Sequence, residues 1–179
     1  MRKRTLWVLM SVLVAVVFTV AADDHDMHHS KVQSTPQWEQ MKTLVGEWEG
    51  TMEEGGQKLP AKTSFRMTGD GSAILNALGE GSPWEMVTMF HTDGTRLMAT
   101  HYCAAHNQPR FKSVATKNPN QIAFEFLDVT NAAPGDSHMS RVVLTFDGPD
   151  HHTEDWTSSE GGKESTGHFD FHRAKKHME

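Results

Sequence analysis

Three groups of side chains have the types and spacings that chemistry requires. The first is Asp23-Asp24-His25. If the chain is cut after Ala22, these residues offer a free amine, two backbone amides and an imidazole, four nitrogens that close a square-planar site suited to Cu(II) or Ni(II). Met27, His28 and His29 add further ligands, while the same composition also serves a merely soluble tail. The second group is His101, Cys103 and His106. On a strand His101 and Cys103 share a face, with His106 just beyond, a donor set for zinc or copper. A small buried thiol and a hydrogen-bonded core imidazole account for the same residues. The third is Asn107, Gln108 and Arg110, which suit a ligand carboxylate or phosphate, or else a loop that caps itself and pairs Arg110 with an acid. His151 and His152, being adjacent, face opposite ways. His168 and His172 share a face opposite Phe169 and Phe171, and read as solvated. No nucleophile elbow, phosphate loop, HExxH or Cys-x-x-Cys occurs, so the reading leans away from an enzyme.

The segment carrying the first group is set by export signals. Arg2, Lys3 and Arg4 precede an apolar run from Leu6 to Val20 and the small pair Ala21-Ala22, the order of a secretory signal peptide. The run is short for a span of about 20 apolar residues, so no stable membrane segment is expected after cleavage. Removing 22 of the 179 residues leaves 157, enough for one domain, with 14 basic residues against 23 acidic ones. That acidity argues against nucleic acid and anionic lipid as partners. With one cysteine, no intrachain disulfide can form in the periplasmic or secreted location the signal implies. Residues 23–34 read as a flexible His-rich leader, 35–173 as the domain and 174–179 as a tail.

The domain opens with a helix. Thr35 is placed to cap it, Pro36 suits its first turn, and Trp38, Met41 and Val45 fall on one face before Gly46 ends it. From Glu47 the apolar period changes to two, the period of half-buried strands. Strands are expected at Glu47–Glu53, Ala61–Met67, Ser72–Leu78, Trp84–His91, Arg96–Cys103, Arg110–Thr116, Gln121–Leu127, His138–Phe146, His151–Thr157 and Ser165–His172. Short Gly, Asp and Asn turns separate them, among them Asp93-Gly94. About ten strands joined by short turns predict an all-β fold: a single up-and-down antiparallel barrel, with the N-terminal helix closing one end. A sandwich is the alternative.

Gly46-Glu47-Trp48, opening the first strand, resembles the Gly-x-Trp of lipocalin-like (calycin) barrels. That resemblance implies a Trp48 packed across the closed end and covered by an Arg of the last strand, here Arg173. The segment Thr100-His101-Tyr102-Cys103, followed by Asn107-Gln108-Pro109-Arg110, resembles an uncharacterised bacterial family of lipocalin-like barrels with that signature. Nitrobindin-type haem barrels are distant architectural relatives, and no motif here carries over their axial histidine.

The expected function is that of an exported binding protein holding a small, largely apolar molecule inside the barrel. Its candidate contacts are Met86, His101, Tyr102, Cys103, Asn107, Gln108, Arg110 and Trp156, with Met98, Phe65 and Phe124 in the lining. A solid core without a cavity is the competing view of the same apolar residues. The alternative function is a metal- or haem-binding protein acting on small reactive species, with copper or haem at the groups named above.

Overall fold

The computed structural model describes residues 32–175, and the signal segment and Asp23-Asp24-His25 lie outside them. Among the described residues one helix, α1 (Pro36–Lys42), precedes ten strands. These are β1 (Gly46–Glu54), β2 (Gln57–Thr68), β3 (Ala73–Leu78), β4 (Met86–Asp93), β5 (Arg96–Tyr102), β6 (Gln108–Val114), β7 (Gln121–Thr130), β8 (His138–Phe146), β9 (His151–Glu160) and β10 (Lys163–Arg173). Each strand pairs antiparallel with its sequence neighbours, and β1 pairs with β10 to close the barrel. The expected all-β meander is therefore the observed one. Among the described residues no helix is long and apolar enough to cross a membrane.

Closure depends on a close approach of backbones. A Cβ at Gly50 would stand 1.9 Å from the carbonyl oxygen of Asp170, so only glycine lets β1 run this near β10. At the start of β1, Gly46 has φ +135, and a Cβ there would meet Arg173 Nη1 at 2.8 Å. That space is taken by the expected Arg-over-Trp contact. The Arg173 guanidinium lies 4.1 Å from the Trp48 ring centroid, and Trp48 Nε1 donates to the Leu44 carbonyl at 2.7 Å. Arg173 also donates to the carbonyls of Thr43, Val45 and Pro149, and to Asp150 Oδ1 at 3.1 Å.

The same end is plugged by α1. Thr35 Oγ1 accepts from the Trp38 amide at 3.1 Å, capping the helix as expected. Trp38 and Met41 enter the core. Leu44 takes the third buried place and Val45 is 38% exposed, because the helix ends at Lys42 and the chain turns before Val45. Ser113 Oγ, which donates to Gln37, ties the helix to the barrel wall. Phe65, Phe90, Phe111, Phe124 and Phe171 fill the interior above it.

Replacing Arg173 with Ala removes the cation–π contact and leaves three carbonyls without their donor. Stability should fall by about 2–4 kcal/mol, read as a lower denaturant midpoint in tryptophan fluorescence. Arg173→Lys should recover only part, because one ammonium cannot reach the partners of a planar fork.

Candidate functional site

Away from α1 the filling stops short. The C-terminal half of β1, the end of β5 and the N-terminal half of β10 bound a cavity of about 130 Å³. Its wall includes Met52, Met86, His101, Met139, Trp156 and Phe169, with Glu54 and Ser158 also in its lining. Gly167 faces inward with no side chain, which leaves part of that volume open. A wider apolar groove of about 520 Å³ adjoins the cavity, and Met52, Leu78, Met86 and Phe169 line both. Trp84, 72% exposed, stands at its edge in the β3–β4 loop. The expected strand Trp84–His91 therefore starts two residues later, at Met86.

His101 is the polar centre of the cavity. It is 1% exposed, and a row of inward polar residues holds it, Asn76 opposite Thr88 and Thr88 opposite His101 in the ladders. Its Nδ1 shares a 2.9 Å hydrogen bond with Thr88 Oγ1, and its ring lies 4.7 Å from that of Trp156. The other nitrogen, Nε2, is buried with no partner. Burial pushes the imidazole down to about 4, so it is neutral at physiological pH. Trp156 Nε1 donates to Glu154 Oε2 at 2.8 Å, and Glu154 Oε1 is 3.0 Å from His152 Nε2. This buried pair packs beneath the cavity, with His152 edge-on to Trp48 at 4.3 Å.

The structure brings together Met86, His101 and Trp156 of the expected contacts and separates the others. Tyr102 is 51% exposed and points outward, as the alternation of β5 requires. Cys103 falls past the end of β5 in a turn closed by its N–H to Asn107 O and by His106 N–H to Cys103 O. The strand alternation that would have aligned it with His101 stops there. Among the described residues, His101, Cys103 and His106 form no cluster of metal-ligating atoms within 4.8 Å of one another.

Asn107 is buried and donates to Ser137 O at 2.8 Å, tying the turn to the β7–β8 loop. Gln108 accepts from Thr130 Oγ1. Arg110 clasps Asp128 with both arms of its fork on the outer face, so this cluster serves its own loops. Met98 faces outward because Ala99 takes the inward place, and Phe65 and Phe124 belong to the solid core.

Sequence periodicity misses Met139. Inward residues of β8 run Val142, Leu144 and Phe146, which would put Met139 outside. A register shift between Met139 and Arg141 re-aims it into the cavity, as bulges do.

No protein-family model matches the sequence, and no curated protein matches it significantly. Solved structures share the fold. Rv2717c from M. tuberculosis is 12% identical, with 81% of this chain aligned to 100% of that one at a TM-score of 0.56. A DUF3598-family protein of unknown function from Nostoc punctiforme is also 12% identical, at a TM-score of 0.51. The match covers 75% of this chain and 49% of that protein, about half its length. A looser match, EF1p2_mFAP2b bound to DFHBI, has 15% identity and a TM-score of 0.38 over 76% and 98% of the two chains.

The state of His101 has a measurable consequence. Between its ordinary value of 6.5 and its folded value of about 4, the unfolded chain binds a proton that the folded chain does not. Stability should therefore fall as pH drops through that window, by up to about 3 kcal/mol from this group. Denaturation of the wild type and of His101→Leu at pH 7, 5.5 and 4 should show that slope only in the wild type.

Proposed function

We propose that this chain is an exported binding protein that holds a small, neutral, largely apolar molecule at the open end of its barrel. The observation that carries this reading is the partnerless Nε2 of His101, buried at the wall of a largely apolar cavity. A buried polar nitrogen without a partner is costly, and a ligand that supplies the missing hydrogen bond recovers that cost. Water satisfies it poorly, since an ordered water needs two to four polar partners and this lining is mostly thioether, indole and phenyl.

Size and charge narrow the ligand. An engineered apolar cavity of roughly 150 Å³ accepts benzene, so the space beside His101 suits a single ring or a short chain. Haem does not fit it, because even drug-sized ligands occupy pockets of roughly 300–1,000 Å³. A neutral imidazole cannot offset a buried charge on the ligand. A hydroxyl meets the requirement in either tautomer of His101, by donating to a bare Nε2 or accepting from Nε2–H. Larger ligands would extend into the adjoining groove toward Trp84, past methionines that adapt in shape.

Export is part of the proposal, supported by the charged, apolar and small-residue order of residues 1–22. Kinship with the barrels bearing Thr-His-Tyr-Cys and Asn-Gln-Pro-Arg is also proposed. The two halves of that signature frame the β5–β6 turn and anchor it through Asn107.

The test uses 4-fluorophenol and fluorobenzene, followed by fluorine NMR. The wild type should bind both saturably, the phenol more tightly. His101→Leu should weaken the phenol roughly tenfold, to the level of fluorobenzene. Gly167→Val should fill the cavity and abolish both. Failure of the wild type to saturate, or equal binding by all three proteins, overturns the proposal.

A further inference from the structure

The outer surface of β9 and β10 carries a constellation that the cavity does not use. His151 stands directly opposite His172 in the ladder between these strands. Asp170, two residues before His172, is on the same face. Three ligating side chains thus occupy adjoining positions on two paired strands, where the backbone fixes their spacing. The imidazole rings of His151 and His172 lie nearly parallel, 12° apart in plane and 4.5 Å between centroids. His151 Nε2 is 3.1 Å from Asp170 Oδ1, and His172 Nε2 is 3.5 Å from the same oxygen. One ligand atom from each residue lies within 4.8 Å of the others.

Hydrogen-bond accounting shows which proton an ion would replace. His151 Nδ1 is 3.0 Å from Asp147 Oδ2, so its N–H has a carboxylate acceptor on the side away from Asp170. The protonated ring donates to both carboxylates; in the neutral ring with its proton on Nδ1, the Nε2 lone pair faces Asp170 Oδ1, and a metal ion takes the place of the second proton. His172 Nε2 approaches the same oxygen. A cation set among the three atoms turns the opposed acceptors into a common ligand set.

The distances suit a tetrahedral ion, and one of the two stacked rings must tilt to bring both in-plane lone pairs onto it. Metal–ligand bonds of about 2.0–2.1 Å put neighbouring ligand atoms roughly 3.3–3.4 Å apart, between the two separations found here. Asp147 behind His151 is the carboxylate that metal-bound histidines characteristically engage with their second nitrogen. Two imidazoles and one carboxylate favour zinc and its transition-metal neighbours over calcium and magnesium, which take oxygen ligands. His172, with 67% of its side chain exposed, leaves room for water to complete the coordination.

We infer that His151, Asp170 and His172 bind one divalent transition-metal ion of the zinc type on the outside of the barrel, with Asp147 orienting His151. The ion would link β9 to β10 next to Arg173, beside the seam that closes the sheet.

Calorimetric titration of the untagged full chain with Zn²⁺ tests this, with Mg²⁺ as the control. The leader contributes His25, His28 and His29, so the comparison is among variants of the whole chain. The H25A/H28A/H29A variant should retain one equivalent of bound zinc. His172→Asn and Asp170→Asn, each made in that background, should lose this equivalent or bind it at least tenfold more weakly. His168→Asn should behave as its parent, because His168 pairs with Asp155 at 2.6 Å outside the cluster. Near-UV circular dichroism checks that each variant is folded. Zinc should also raise the melting temperature of the leader variant, and not that of its Asp170→Asn derivative. Loss of all zinc binding in the leader variant, or titration of folded His172→Asn and Asp170→Asn indistinguishable from their parent, overturns the inference.

Discussion

The pairing of β1 with β10 is the constraint from which the rest follows. Its register sets Trp48 opposite Arg173 and Gly50 opposite Phe171. Once the sheet is a ring, every strand has an inside and an outside, and one residue of slippage would turn a whole strand over. The seam is held by elements that act together: a glycine where the backbones nearly touch, and an arginine that covers the tryptophan while bonding the carbonyls of the chain leading into β1. The plug helix then makes one end of the barrel solid and leaves the other end for a different use.

Buried polar groups occur toward both ends of the barrel, and His152 Nδ1, like His101 Nε2, is buried without a partner. Near Trp48, the buried Glu154 accepts from Trp156 and pairs with His152, whose ring is packed among Trp48, Phe65 and Phe171. At the open end His101 has one nitrogen fixed by Thr88 and the other without a partner, in a side chain that lines the cavity. Neutrality makes that tolerable, since an unpaired charge at the same depth would be far more costly. On the proposed reading, a site with His101, adaptable thioethers and aromatic walls would discriminate by size and by a single hydrogen bond.

Most of the architecture was legible because period-two burial and turn residues are local signals. Thr35, Pro36, Trp38 and Met41 announced the helix, and the alternation from Trp48 to Phe171 announced the sheet. The inward position of His101 and Trp156 followed from the same parity. Misplacements occurred where local rules yield to context. Val45 lost its buried place to Leu44 when the helix ended, and Cys103 left the alternation when β5 stopped. Of the two readings open for Arg110, ligand anchor or partner of an acid, the ladder favours the second by bringing Asp128 opposite it. The His151, Asp170 and His172 grouping depends on register between strands, which no periodicity within one strand reports.

Diffraction from crystals pressurised with xenon tests the central claim most directly, because a polarizable atom of that size seeks enclosed apolar volume in a closed sheet. A closed ten-stranded barrel should appear, with one strong xenon site bounded by Met52, Met86, Trp156 and the free nitrogen of His101. An open seam between β1 and β10, or an interior at His101 filled by side chains with no xenon bound, would contradict the account.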